Sequence, residues 1–286
     1  MARTAWLIVG VAVIAECAAI AEDKAVVAQQ RRVASAHAAL VQMPTAPIHE
    51  TDHLMVWSTL PAARVRTIGA TLEKNFSTAV GALQYGKSES PWPGKLAVFA
   101  FADRGQFRSF IRQVEKRSPD DAEQSSHQIE GEAPHIAVGP GRTSTAPTPE
   151  QQAQYEIAAA VLAARTRPIS LPEWVTAGFS RAVAAHAAGQ SPAVRKKGAR
   201  DLLRARLRPR DAWNDEIPRD SRLVLAAAVM DFLVFGGGAS KPLDFFNGFR
   251  PDDASPNKSA EDALTAINLT VDQFEAAFAK WLTSSK

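Results

Sequence analysis

The periodicity of apolar residues changes near residue 148, and this change limits the fold more than any other feature. Before it, apolar runs of strand length, such as Leu96–Phe101, alternate with segments of helical period, such as Pro61–Leu83. After it, every patterned segment has the helical period. The sequence therefore predicts an α+β protein with a small, mixed N-terminal sheet and its helices, followed by a helical C-terminal half.

The N-terminal half predicts the order β-α-β-α-β. The strands are expected at His53–Ser58, at Leu96–Phe101 and within Gln128–Val138, where His135–Val138 has the stronger strand pattern. Glycine and proline interrupt this third segment, so a hairpin or an edge strand is expected there. The helices of this half are predicted at Pro61–Leu83 and Asp103–Lys116.

The C-terminal half contains three helix-start signals. Thr148–Gln151 and Ser170–Glu173 each combine a capping box with an early proline, and Thr270–Gln273 is a further capping box. The glycines at 236–238 follow a helical pattern and predict its end. Other helices are expected at about 199–208, 220–235, 240–248 and 259–267.

The N-terminus has the features of an export signal. A positive start at Arg3 precedes the apolar run Trp6–Ala15, and Ala19–Ala21 fits a small-x-small cleavage site. We therefore expect residues 1–21 to be a signal peptide and the protein to be periplasmic or extracellular; an uncleaved N-terminal anchor is the alternative. The expected organisation is a mobile or helical lead-in at 22–48, an α/β half at 49–147 and a helical half at 148–286.

Cysteine content and charge limit the kinds of functional site that this chain can form. Cys17 is the single cysteine, so cleavage after Ala21 leaves no disulfide, thiol nucleophile or cysteine-based metal site. The formal net charge is +3, but one short segment is strongly basic. It is interpreted either as a solvated face or as a contact for an anionic surface, and it lacks the aromatic residues typical of nucleic-acid binding. Its basic residues are Arg195, Lys196, Lys197, Arg200, Arg204, Arg206, Arg208 and Arg210.

Four stretches carry a family resemblance that covers most of residues 50–285. They read PWPGKLAVFAFADRGQFRSFI, YEIAAAVLAAR, LPEWVTAGFSRAVAA and INLTVDQFEAAFAKWL. In these stretches the chain resembles the peptidase MA-like family of gluzincin zinc metallopeptidases. The third stretch is the most specific, because Leu171, Pro172, Trp174 and Gly178 match the family motif in register. The resemblance implies a zincin-like fold.

The resemblance also identifies the positions of the zinc site. The family's H-E-x-x-H helix places two histidines on one face and a glutamate that activates water. Tyr155, Glu156 and Ala159 occupy these positions, and Ala177 occupies that of the third ligand, eighteen residues after Ala159. Alanine has no donor atom, and a phenol with a pKa of about 10 stays protonated at neutral pH. A degenerate site without zinc or another cofactor is expected, with Glu156 as a vestigial general base.

The histidines are the candidates to replace the missing zinc ligands. None of the six histidines lies between residues 136 and 185. His135, on the expected edge strand, could face Glu156 and Tyr155 in an acid–base cluster, or it could be a surface histidine. Trp174 is expected to line the cleft, and His186 is expected near solvent at a helix end. The alanines at 158–160 should let the next helix approach closely, with Tyr155 filling part of the former site.

The functional prediction is an exported pseudopeptidase without a zinc site that binds a protein or peptide or acts as a scaffold in a bacterial envelope. Two enzyme hypotheses remain open: a zinc-independent hydrolase that uses Glu156, and a peptidase whose ligands come from elsewhere. A structural envelope protein that uses the basic segment at 195–210 is a further alternative. The sequence has no G-x-S-x-G nucleophile motif and no phosphate-binding loop with a lysine.

Overall fold

The computed structural model describes residues 24–214, 216–253 and 257–284. The predicted signal peptide at 1–21 lies outside these residues. The structure confirms the predicted α+β fold, with a mixed five-strand sheet in the N-terminal part and a mostly helical C-terminal half. Residues 24–40 form helix α1, within the stretch expected as a lead-in.

The sheet has the strand order β1-β2-β3-β5-β4. The three central strands run parallel to one another, and β1 and β4 pair antiparallel at the edges. Of the two alternatives expected within Gln128–Val138, the hairpin is confirmed, because β4 and β5 pair antiparallel. The edge-strand alternative is wrong for His135–Val138, because β4 lies on its outer side. The half-exposed polar sequence of β4 suits an edge, whereas β5 is fully buried. The strands are β1 His49–Glu50, β2 Leu54–Ser58, β3 Leu96–Ala100, β4 Ser125–Gln128 and β5 His135–Val138.

Each predicted helix is present, and most bounds shift by a few residues. The helix expected at 199–208 begins earlier, at Pro192, where a proline suits the first helical position. A 3-10 helix, Pro209–Trp213, and a π-helical segment, Asp231–Phe235, complete the helical half. The further helices are α2 Ala62–Ala82, α3 Arg104–Gln113, α4 Pro149–Thr166, α5 Glu173–Ala187, α6 Pro192–Arg204, α7 Arg219–Met230, α8 Pro242–Asn247, α9 Ala260–Ala266 and α10 Val271–Thr283.

The helix-start predictions had different outcomes. The capping box at the start of α10 is confirmed: the Thr270 hydroxyl accepts from the Gln273 backbone N–H at 3.2 Å, and the Gln273 side chain accepts from the Thr270 N–H at 2.9 Å. The prediction of a Ser170 cap is wrong, because α5 begins at Glu173 and Pro172 is its N-cap residue. A proline disfavours helical geometry in the residue before it, which keeps Leu171 out of the helix.

The chain forms two compact units. Among the described residues, the first comprises those up to Gly69 together with Trp92–Pro149, and the second comprises Ala70–Pro91 together with those from Glu150 onward. The division near residue 149 lies close to the expected boundary between 147 and 148. Residues 70–91, expected in the N-terminal half, belong to the second unit.

The core of the first unit lies between one face of the sheet and helices α1 and α3. The Trp57 and Phe99 rings stack with centroids 5.4 Å apart, and Phe110 of α3 lies 4.6 Å from Phe99. Small residues on α1, Ala34 and Ala38, are fully buried and let this helix approach the aromatic rings closely. Burial of these aromatic side chains stabilises the sheet, because aromatic residues dominate the energetics of protein cores.

In the second unit, α5 packs directly against α7. A Cβ atom added at Gly178 would lie 2.5 Å from the Ala226 carbonyl oxygen, so the two helices approach at a distance that only glycine permits. Gly178 belongs to the LPEWVTAG stretch and therefore has a packing role. Among the helices of the described residues, none is both long enough and apolar enough to cross a bilayer.

Candidate functional site

The positions that the resemblance assigns to a degenerate zinc site lie on α4 and α5. Tyr155 and Ala159 are four residues apart on α4 and share one face of the helix. Glu156 beside them is 9% exposed, and Ala159 is 5% exposed. Ala177 lies on α5 and is half-buried. The neighbouring alanines at 158 and 160 are fully buried, but the expected close approach of α5 to α4 is wrong, because few Cα atoms of the two helices lie within 8 Å of each other.

Arg181 connects the two helices at this place. It lies one helical turn after Ala177, and its guanidinium carbon is 4.7 Å from the centroid of the Tyr155 ring. Ala177 and Arg181 share one face of α5, because residues four apart lie on the same side of a helix. Both the Tyr155 ring and the Arg181 side chain are half-buried.

The donor atoms at these positions do not suit a metal ion. A protonated phenol and two methyl groups stand where a catalytic zinc site needs three protein ligands. Across residues 24–214, 216–253 and 257–284, no three His, Cys, Asp or Glu side chains converge in a way that could hold a metal. No metal-dependent step can therefore be derived for these residues.

His135 lies inside the first unit and is 2% exposed, so the expectation of a surface histidine on an edge strand is wrong. Its Nε2 atom is 3.5 Å from the Glu115 carboxylate, and its ring lies 5.8 Å from that of His37. Burial disfavours ionisation of Glu115, but the nearby His135 ring, a hydrogen bond from the Ser126 hydroxyl and the charge of Arg117 outweigh this effect and lower the pKa of Glu115. The acidic partner of His135 in this unit is Glu115.

Trp174, expected as a cleft residue, is 8% exposed and belongs to an aromatic cluster in the second unit. Its ring centroid lies 5.4 Å from that of Trp213, 6.4 Å from Phe245 and 6.3 Å from Phe249. These distances are typical of favourable aromatic pairs. The tryptophan of the LPEWVTAG stretch therefore anchors the start of α5 in the hydrophobic core.

The sequence analysis missed a buried acid, Asp231. It is 3% exposed and accepts hydrogen bonds from His186 Nε2 at 2.7 Å and from Arg195 Nε at 2.9 Å. His186 lies in the last turn of α5, as expected, and its side chain is 23% exposed; its ring also stacks on Phe235 with centroids 3.8 Å apart. An aspartate inside the apolar run VMDFLVF was the available signal, because a buried carboxylate needs partners.

A cavity of about 380 Å³ lies beside this network, between α5, α6 and α7. Its walls combine aliphatic side chains with a cation, Arg181, and an anion, Asp220. Two valines of its lining, Val194 and Val224, are 59% and 40% exposed. No sequence signal pointed to this cavity, because three helices separated along the chain form it. The aliphatic part includes Ala182, Ala185, Leu223 and Ala227.

Most of the basic segment is engaged within the chain. Lys196 is 1% exposed and donates to the Trp281 carbonyl at 2.7 Å, and Arg200 donates to the Leu282 carbonyl at 2.8 Å. Three further residues form salt bridges with Asp231, Asp201 and Glu275; these are Arg195, Arg204 and Arg210. The other three, Lys197, Arg206 and Arg208, are exposed. They leave a smaller basic surface than the sequence suggested.

Comparison of the sequence with protein-family models and with curated proteins gives no match. The fold defines the class: an α+β protein with a mixed five-strand sheet followed by helices. Any narrower assignment depends on the four resembling stretches and on the geometry at Tyr155, Ala159 and Ala177.

Proposed function

We propose that the protein is an exported, non-catalytic relative of the peptidase MA-like gluzincins that acts by binding a peptide or protein. The observation that carries this proposal is the position of Arg181 over the Tyr155 ring. In the proposed register, this places a permanent positive charge beside a former zinc-ligand position. A guanidinium and Zn²⁺ repel each other, so this residue opposes metal binding in addition to the missing ligands.

The motif residues that resemble the family have packing roles that need no metal. Gly178 permits the close contact between α5 and α7, and Trp174 anchors the start of α5 among aromatic rings. The likeness to a peptidase is therefore compatible with a protein that performs no peptidase reaction. The likeness of these motifs supports a shared fold and ancestry and does not support peptidase activity.

Glu156 by itself offers little catalytic power. In a zinc peptidase the metal lowers the pKa of the attacking water, and the glutamate accepts its proton. With Tyr155, Ala159 and Ala177 at the ligand positions, no comparable activation of water is available to Glu156. This argument favours binding over the zinc-independent hydrolase. Four residues of the basic segment are exposed, namely Lys197, Arg206, Arg208 and Arg204, and Arg204 is paired with Asp201, so they favour a contact with an anionic surface less than the full set of eight would.

The metal content of the purified protein tests the proposal. After incubation with excess zinc and desalting, we expect no stoichiometric zinc, whereas a known zinc peptidase treated in parallel should retain its metal. Peptidase activity should also be absent with zinc added. One zinc per chain, or hydrolysis that Glu156→Gln abolishes, would overturn the proposal.

A further inference from the structure

The cavity between α5, α6 and α7 contains two charged groups that lack a charged partner among the described residues. Arg181 forms no salt bridge there; its guanidinium lies on the Tyr155 ring and is 3.5 Å from the Ala177 carbonyl oxygen. Asp220 likewise forms no hydrogen bond or salt bridge through its side chain within the described ranges. The two groups influence each other electrostatically without forming an ion pair.

The other charged groups of the cavity neutralise each other. Arg195 and Asp231 are joined at 2.9 Å, and His186 occupies the second oxygen of the same carboxylate. The charges available to a ligand are therefore one cation and one anion, Arg181 and Asp220. The rest of the lining is largely aliphatic. A zwitterion, which carries one positive and one negative charge and is neutral overall, would complement Arg181 and Asp220.

The geometry points to this cavity as a binding site for a small zwitterion with an aliphatic side chain, such as an amino acid or a dipeptide. The ligand carboxylate would pair with Arg181 and its ammonium group with Asp220. The aliphatic side chain would contact Leu223, Val224 and Ala182. This inference rests on the proposed binding function and names its ligand class.

Size and preorganisation agree with such a ligand. The volume of about 380 Å³ lies near the lower end of the ~300–1,000 Å³ typical of small-molecule sites. Burial lowers the pKa of Arg181, but a guanidinium remains charged at neutral pH. The Tyr155 ring holds this guanidinium in place, which reduces the entropy that binding would cost. A guanidinium can also bind a carboxylate through two parallel hydrogen bonds.

Isothermal titration of the full-length mature protein with four probes tests the inference. The probes are L-leucine, the dipeptide alanyl-leucine, N-acetyl-L-leucine and L-leucinamide. We expect leucine or the dipeptide to bind. Removing either ligand charge, as in the acetylated and amidated probes, should weaken binding about ten-fold or more, because each loses one charge-assisted contact.

Variants of the two charged residues provide the second arm. Arg181→Gln and Asp220→Asn should each weaken binding of the preferred zwitterion about ten-fold or more. The matched controls are Arg204→Gln and Asp272→Asn, whose side chains are 78% and 93% exposed and lie outside the cavity lining. Arg181→Lys keeps the charge and should retain part of the affinity. Circular dichroism of each variant checks that it is folded.

Three results would overturn the inference. They are no binding of leucine or the dipeptide at ligand concentrations well above about 1 mM, binding of a singly charged probe as tight as that of the zwitterions, or unchanged affinity in the folded Arg181→Gln variant. Failure of the proposed function gives a different result. Hydrolysis of the dipeptide, or stoichiometric zinc, would contradict the non-catalytic proposal. A metal-free protein that leaves the dipeptide intact and unbound would contradict the cavity assignment alone.

Discussion

Arg181 lies with its guanidinium carbon 4.7 Å from the centroid of the Tyr155 ring, and it also lines the cavity between α5, α6 and α7. One side chain thus joins the position of the proposed former zinc ligand to a cavity of the C-terminal helices. In a metal site this charge would be unfavourable. In a binding site for a carboxylate the same charge is favourable, so Arg181 disfavours zinc binding and favours carboxylate binding.

Restoring the three zinc ligands tests whether residues 155, 159 and 177 occupy the ligand positions of the family. The variant with Tyr155→His, Ala159→His and Ala177→Glu should bind zinc weakly, because three ligands are present but Arg181 remains close. Adding Arg181→Ala should tighten zinc binding about ten-fold or more, since it removes a like charge. Zinc affinity is measured by competition with a chelating dye.

A control variant with glutamine at positions 155, 159 and 177 has side chains of similar size without strong zinc donors, and it should not bind the metal. If the folded triple histidine–glutamate variant also fails to bind zinc, with or without Arg181→Ala, the register of the resemblance is incorrect.

The sequence predicted the fold better than the candidate site, for physical reasons. Apolar runs and helical periodicity are local properties, so β3, α2 and the Thr270 cap could be predicted from short windows. Strand order depends on pairing between distant segments, and for that reason β5 was misplaced at the sheet edge. A polar strand such as β4 has a weak sequence pattern, although it decides which strand is internal.

The parts of the candidate site that were missed depend on contacts between helices. Asp231 gains its partners from α5 and α6, residues His186 and Arg195, which are 45 and 36 positions away. The cavity beside it exists only because α5, α6 and α7 meet. Arg181 was overlooked since its neighbour in space, Tyr155, lies on a different helix. Spacing within one helix could not reveal these relationships.

Substituting Gly178 tests the close packing of α5 on α7. Gly178→Ala should lower the free energy of unfolding by about 1–3 kcal/mol, because the added methyl group meets the Ala226 carbonyl oxygen at 2.5 Å and the backbone must shift. Gly81→Ala on α2 is the matched control. Its added Cβ meets no atom within 4 Å, so the higher helix propensity of alanine should raise stability by about 0.5–1 kcal/mol. Urea denaturation measures both, and equal effects at the two sites would contradict the packing argument.

The half-buried His37 should make the first unit acid-sensitive. Burial lowers the pKa of His37 from its ordinary value of 6.5, and the nearby His135 adds to this effect. The unfolded chain therefore binds a proton at His37 before the folded chain does, and stability should fall as the pH drops below 6.5 towards the folded-state pKa. Glu115 has a lowered pKa, so its contribution is present above its ordinary 4.5 and is lost as the pH falls through the folded-state value.

Unfolding by urea across a pH series measures this dependence. His37→Phe should reduce the loss of stability just below pH 6.5 while leaving the loss below 4.5, which Glu115→Gln should reduce instead. Identical pH profiles for wild type and a folded His37→Phe variant would show that His37 is not the group responsible.

Lys196 should be the most important basic residue of its segment for stability. Its Nζ donates to the Trp281 carbonyl at 2.7 Å and to Ser284, and it lies 4.4 Å from the centroid of the Trp281 ring. Lys196→Met keeps the length of the side chain but leaves buried carbonyls at the end of α10 without their donor, so we expect a loss of about 1–3 kcal/mol. Lys197→Met, at the exposed neighbouring position, is the matched control and should change stability by no more than about 0.5 kcal/mol. Urea denaturation compares the two, and an equally small effect at both positions would mean that Lys196 contributes nothing beyond its aliphatic stem.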